Sequence, residues 1–137
     1  MARGSPDFQQ WTSVQRYAGT GGKTIFCDTA TISANIVVPD ARWKQIELAR
    51  GFVTKIRIRF PPGSHGLLWV AIWDDDKQIF PGNSGQYFHG DNEVIEFDTE
   101  YDVPEYGTEY RFWLKLLNYD ETYEHAVIVS FETVLLP

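Results

Sequence analysis

The stretch FVTKIRIRFPPGSHGLLWVAIW, residues 52–73, decides the fold class. In its first nine residues Phe52, Thr54, Ile56, Ile58 and Phe60 alternate with Val53, Lys55, Arg57 and Arg59. A period of two sends successive side chains to opposite faces of a strand, so this segment predicts a strand with one core face and one basic face. Pro61, Pro62 and Gly63 end it, because proline cannot donate to a ladder and glycine favours a turn. Residues 67–73 then read LLWVAIW, apolar on both faces. That predicts a strand central in its sheet and covered twice, by the opposite sheet or by a neighbouring subunit. Within it Trp69 and Trp73 share a face with Ala71, opposite Leu68, Val70 and Ile72.

The same grammar continues on either side. Upstream, residues 24–27 and 29–38 are rich in Thr, Ile and Val and stop at Pro39, and residues 43–49 place Ile46 and Leu48 on one face. Ala41, Lys44, Gln45, Glu47 and Leu48 also favour helix, which leaves a helix over residues 41–50 as an alternative. Downstream, Asp74, Asp75, Asp76 and Lys77 make a polar turn before a short return over residues 78–81. An interrupted strand is predicted around Tyr87 and Phe88, another over residues 94–97, and a loop over residues 98–108. Residues 110–117 set Tyr110, Phe112, Leu114 and Leu116 against Arg111, Trp113, Lys115 and Leu117, and residues 126–136 alternate around Val127, Val129 and Phe131. Many short strands at regular spacing, separated by Gly, Pro, Asp and Asn, predict an all-β, two-sheet sandwich, jelly-roll-like. This domain covers residues 24–137, and residues 1–23, with glycines and isolated aromatics but no period, form an N-terminal arm. Its Phe8, Trp11 and Tyr17 are the residues expected to dock into another chain.

A length of 137 residues suits one domain with its own core. The single cysteine, Cys27, cannot form an internal disulfide and is expected as a buried, inert thiol. A net charge of −7 argues against nucleic acid and anionic lipid as partners, because phosphate binding needs a basic field. The polar first 24 residues do not read as a signal peptide, and no run has the length of a membrane helix, so use without secretion and without a membrane is expected.

Reactive groups do not assemble into a recognisable pattern. His65, His89 and His125 lie in or beside turns without short mutual spacing. Asp74 to Asp76, and Asp91, Asn92 and Glu93, offer oxygens but lack the alternate spacing that aims several carboxylates at one calcium ion. The pairs Glu93 and Glu96, or Glu121 and Glu124, carry no glycosidase signature, Ser64 and Ser84 lack a nucleophile elbow, and the glycines before Lys23 lack the spacing of a phosphate loop. No enzyme activity, cofactor or metal is therefore expected. What remains is surface. Lys55, Arg57 and Arg59 form a basic ladder in an acidic chain, and Trp69 and Trp73 form a pair on one face. Together they predict contacts between copies, in a cyclic homo-oligomer, with a trimer expected. Trp69, Trp73 or Trp113 could instead stack pyranose rings, which leaves a carbohydrate-binding module as the alternative.

The stretches FPPGSHGLLWVAIWDDDKQIFPGNSGQYFHGDNEVIEF (residues 60–97) and NYDETYEHAVIVSFETVLLP (residues 118–137) resemble small β-sandwich proteins from the structural modules of tailed bacteriophages and prophages. The resemblance covers residues 32–137 and not the arm. It implies a virion component without catalytic residues: a decoration or cement protein on the capsid, or else an adaptor or tail-associated piece. It further implies assembly in the host cytoplasm, a trimer whose N-terminal arm lies along the shell, and the major capsid protein or another virion protein as partner.

Overall fold

The computed structural model describes the backbone of Gln15 and Arg16 and all of residues 23–136. The strands are β1 (Gln15–Arg16), β2 (Lys23–Ile32), β3 (Arg42–Glu47), β4 (Gly51–Phe60), β5 (Leu68–Asp74), β6 (Lys77–Phe80), β7 (Phe88–His89), β8 (Glu93–Asp102), β9 (Glu105–Tyr106), β10 (Glu109–Asn118) and β11 (His125–Leu135). Every pairing is antiparallel, and no helix occurs among the described residues. One sheet runs β1-β2-β11-β4-β8 and the other β3-β10-β5-β6, with β7 also on β5 and β9 on β10. Successive long strands cross between the sheets, and the orders β2-β11-β4-β8 and β3-β10-β5-β6 are those of a jelly roll.

The inner faces are built by the predicted alternation. Phe112, Leu114 and Leu116 on β10, Leu68, Val70 and Ile72 on β5, and Val127, Val129 and Phe131 on β11 are all buried. Phe112 and Phe131, one from each sheet, stack with centroids 5.3 Å apart and planes 7° from parallel. At one edge of the sandwich Asp74, at the end of β5, accepts a 2.6 Å hydrogen bond from Tyr101 Oη on β8 and a second from Tyr106 Oη on β9. This clasp ties the two sheets together.

Several local expectations are corrected. In β4 the register shifts between Val53 and Lys55, so Val53 is buried in the core while Phe52 and Thr54 are only half-buried. A bulge adds one residue and reverses the parity of everything before it. Residues 98–102 are strand rather than loop: β8 pairs with β4 as far as Asp102, opposite Phe52. Residues 24–32 form one continuous strand, β2, while the strand read at residues 43–49 is found as β3, paired along its whole length to β10, and the helical alternative falls. Cys27 is half-buried rather than buried, on the outer face beside Ser130, whose Oγ lies 3.5 Å from its Sγ. Gly51 has no room for a side chain, since a Cβ there would overlap the Val134 carbonyl.

The connections at one end converge on Asn118, which is completely buried. Its Nδ2 lies 3.2 Å from the carbonyl oxygens of Ile32 and Ser33 and 3.0 Å from that of Tyr123, and its Oδ1 accepts from the Asp120 N–H at 3.0 Å. Its backbone exchanges both bonds with Ile36 in the β2–β3 connection. One amide thus ties the end of β2 and the two connections that follow β2 and β10 to one another. Replacing Asn118 with Leu should destabilise the domain by at least about 3 kcal/mol, since each orphaned buried polar group costs ~1–3 kcal/mol. Thermal unfolding should show a fall on the order of 10 °C, and a fall of only a degree or two would show that these bonds do not organise that end.

Candidate interaction face on the second sheet

Because Phe112, Leu114 and Leu116 face the core, the intervening residues of β10 face outward. Register then sets Lys115 between Trp43 of β3 and Ala71 of β5, and Trp113 between Gln45 and Trp73. One step along, Leu117 lies beside Trp69, which lies beside His89 of β7. The outer face of this sheet is therefore a continuous aromatic surface, with Trp43 46% exposed. Ala71, although on this outer face, is completely buried among its larger neighbours.

Lys115 is the centre of one half of the surface. Its Nζ lies 5.3 Å from the centroid of Trp73, 5.6 Å from that of Trp43 and 5.8 Å from that of Tyr87. An ammonium over ring faces is attracted by their quadrupoles, so the cation holds three rings that belong to three separate segments. Trp43 and Trp73 meet edge to face, with centroids 5.2 Å apart and planes at 82°. Trp69 organises the other half. It stacks on His89 at 5.3 Å, touches Tyr87 at 5.6 Å and Tyr119 at 4.9 Å, and donates its Nε1–H to the Gly66 carbonyl at 2.9 Å. Tyr87 joins the halves. The loop that delivers it is held by Gln78, whose Nε2 lies 2.7–3.1 Å from the carbonyl oxygens of Pro81, Asn83 and Gln86. Towards the clasp, Arg111 lies 4.7 Å from the Tyr106 ring and 5.7 Å from Trp113, and it pairs with Glu109.

The predicted residues fall into three groups. Trp69 and Trp73 do share the outer face of β5, but the aromatic cover on Trp69 comes from its own chain. The basic ladder lies on the opposite side of the molecule, on the outer face of the first sheet, where each of its cations has a neighbour within that sheet or the turn before β8. Lys55 lies 3.9 Å from Asp98, Arg57 lies 4.0 Å from Glu96, and Arg59 Nη2 donates to Asn92 Oδ1 at 3.2 Å. The partners are Glu96 and Asp98 on β8 and Asn92 in the turn before it, and of these only Glu96 lies within the span predicted as strand, residues 94–97. Phe8, Trp11 and Tyr17 lie outside the described residues. Sequence reading missed Trp43, Lys115, Tyr87, His89 and Tyr119 as members of the surface. The alternation of Lys115 with Trp113 and Leu117 marked its outward direction, but only the pairing of distant strands brings the rings to it.

The acidic turns are engaged as structure. Both Asp74 oxygens accept from tyrosines, and burial, followed by the hydrogen bond to the Asp74 carboxylate, raises the pKa of the Tyr101 and Tyr106 phenols above the ordinary value. Asp91 is held below the usual carboxylate range, chiefly by the Gly63 N–H at 2.8 Å. Among the described residues no three of His, Cys, Asp and Glu are grouped to hold a metal ion. Nor does any protein-family model or curated protein match this chain.

His125 Nε2 lies 2.8 Å from Asp120 Oδ2, and this bond, followed by the Thr122 and Tyr123 N–H groups, lowers the Asp120 pKa from its ordinary 3.8. Since the folded value lies below the unfolded one, the contribution is full above pH 3.8 and is lost as pH falls through the folded value. Between pH 5 and pH 2 the melting temperature of wild type should therefore fall more steeply than that of Asp120→Asn. Parallel curves would show that Asp120 is not a proton-linked stabiliser.

Proposed function

We propose that this chain is a non-enzymatic virion structural protein of a tailed bacteriophage or prophage, a capsid decoration protein that works as a cyclic homo-oligomer of three copies. Its outer β3-β10-β5 face is the contact surface, and a neighbouring subunit is its occupant. The observation that carries this reading is the chemical difference between the two outer faces. On β4 and β8, opposite charges lie side by side. On β3, β10 and β5, aromatic rings surround one cation, with Trp43 46% exposed. Aromatic side chains with few carboxylates are the composition of protein contact surfaces. The jelly-roll fold and the resemblance of residues 32–137 to phage β-sandwich proteins supply the virion setting.

The alternative, a sugar-binding module, needs open ring faces laid flat against the solvent. Here Trp43 and Trp73 are nearly perpendicular, and Lys115 already lies against both. That geometry favours a contoured protein partner over a pyranose ring.

Trp43→Glu places a charge on the exposed part of this face. Wild type should be an oligomer at micromolar concentration by light scattering and should label particles by immunogold microscopy. The variant should associate at least about 30-fold more weakly, the loss expected of one central contact residue. Its melting temperature should stay within a few degrees, because the ring is half outside the core. A wild-type monomer that labels no particle would overturn the proposal, and glycan binding by that monomer, lost in Trp43→Glu, would establish the sugar-binding alternative.

A further inference from the structure

The aromatic face holds a charge that its rings attract but do not hydrogen-bond. Lys115 is half-buried at the centre of that face, with its Nζ 5.3 Å from the centroid of Trp73, 5.6 Å from that of Trp43 and 5.8 Å from that of Tyr87. Ring quadrupoles draw the ammonium in, yet a ring face offers no lone pair to its three N–H donors. Among the described residues Lys115 is in no ion pair, whereas Lys23, Lys44, Lys55, Arg57 and Arg111 each lie within 4.0 Å of a carboxylate. On the strand beside it, Trp73 Nε1 is buried and likewise has no acceptor among the described residues. In the isolated chain the half-exposed ammonium takes its oxygens from water.

A subunit seated on this face removes that water. Taking a charge out of water is strongly unfavourable unless the charge is paired and hydrogen-bonded in exchange. The occupant must therefore bring an anionic oxygen to the place where Trp43, Trp73 and Tyr87 converge. We propose that the neighbouring copy sets an Asp or Glu side chain against Lys115, so that the rings enclose an ion pair between subunits. This rests on the reading of the face as a subunit contact and specifies what meets it. Charge composition supports it: 19 Asp and Glu stand against 12 Lys and Arg, so each copy carries carboxylates beyond those its own cations can engage. Asp75, Asp76, Glu121 and Glu124, for example, are exposed and in no ion pair among the described residues. In a ring of three copies each contact joins two different patches, so the acid comes from a surface other than the aromatic face. A neutral or basic side chain in its place leaves the ammonium unpaired, which gives the contact its selectivity.

Zero-length coupling reads this pair directly. A carbodiimide joins an amine to a carboxylate without a spacer, and so only where the two already meet. In the oligomer assembled from mixed unlabelled and 15N-labelled full-length chains, mass spectrometry should find Lys115 in an isopeptide bond to an Asp or Glu, in peptide pairs that combine a light and a heavy chain. Lys115→Met keeps an apolar stem against the rings but removes the charge, and it should associate at least ~10-fold more weakly than wild type. Lys115→Arg keeps the charge and should associate more tightly than Lys115→Met. An oligomer whose Lys115 forms no bond between light and heavy chains would overturn the pair while leaving the aromatic face as the contact, and so would a Lys115→Met chain that assembles as tightly as wild type. Linkage confined to chains of one label would overturn it too, by showing that each chain's own acid serves Lys115. A wild-type monomer would remove the subunit contact itself, and the pair with it.

Discussion

The stack of Phe112 on Phe131 is the constraint from which the rest of the molecule follows. Each ring belongs to an interior strand of its sheet, β10 or β11, and the planes lie 7° from parallel with centroids 5.3 Å apart. Strand side chains alternate, so placing these two rings inward fixes the direction of every neighbour. Leu114 and Leu116 must face the core, and Arg111, Trp113, Lys115 and Leu117 must face out. Pairing to β3 and β5 then carries the same parity sideways to Trp43, Trp69 and Trp73. A slip of one residue would drive Lys115 into the core and Phe112 into water, which is why the register is strongly specified. The aromatic outer face is the obligatory other side of the core.

The two outer faces solve the same problem differently. On the first sheet, cations of β4 lie next to anions of β8, and each pair is at the long end of ion-pair distance and well exposed. Such pairs contribute little to stability, on the order of 1 kcal/mol or less, but they keep the surface hydrated. On the second sheet the cation is matched by ring faces rather than a carboxylate, and rings hold water weakly. The polar closures sit at the rims instead: the Asp74 clasp at one edge, and Asn118 with the Asp120 and His125 pair at one end. These rims hold the strands in position while the aromatic face is left for contact.

Much of this was legible in the chain. The alternation at residues 52–60, 110–117 and 126–136 was enough for the sandwich, and the doubly apolar run at 67–73 correctly marked a strand with neighbours on both sides. What was not legible depends on partners far apart in sequence. The bulge in β4 is set by how Val53 and Lys55 meet Tyr101 and Asp98, and nothing local to residues 52–55 announces it. The second half of β8 reads as loop because its acidic outward residues and its Thr and Tyr dilute the apolar signal, although β4 pairs with it at Asp98, Tyr101 and Asp102. The same long-range pairing supplies the ladder's partners and brings Trp43, Trp73 and Tyr87 to Lys115. Sequence revealed that Lys115 points outward, but not what it would meet.

The central claim is that the aromatic face, and not the ion-paired one, is the surface this protein uses. Hydroxyl-radical footprinting tests it most directly, by comparing the isolated chain with the chain in its native assembly. Trp43 reports on the aromatic face, and Val94, 37% exposed on the outer side of β8, reports on the other. The account predicts that Trp43 loses most of its labelling on assembly while Val94 is labelled as before. Protection of Val94 with Trp43 unchanged would contradict it.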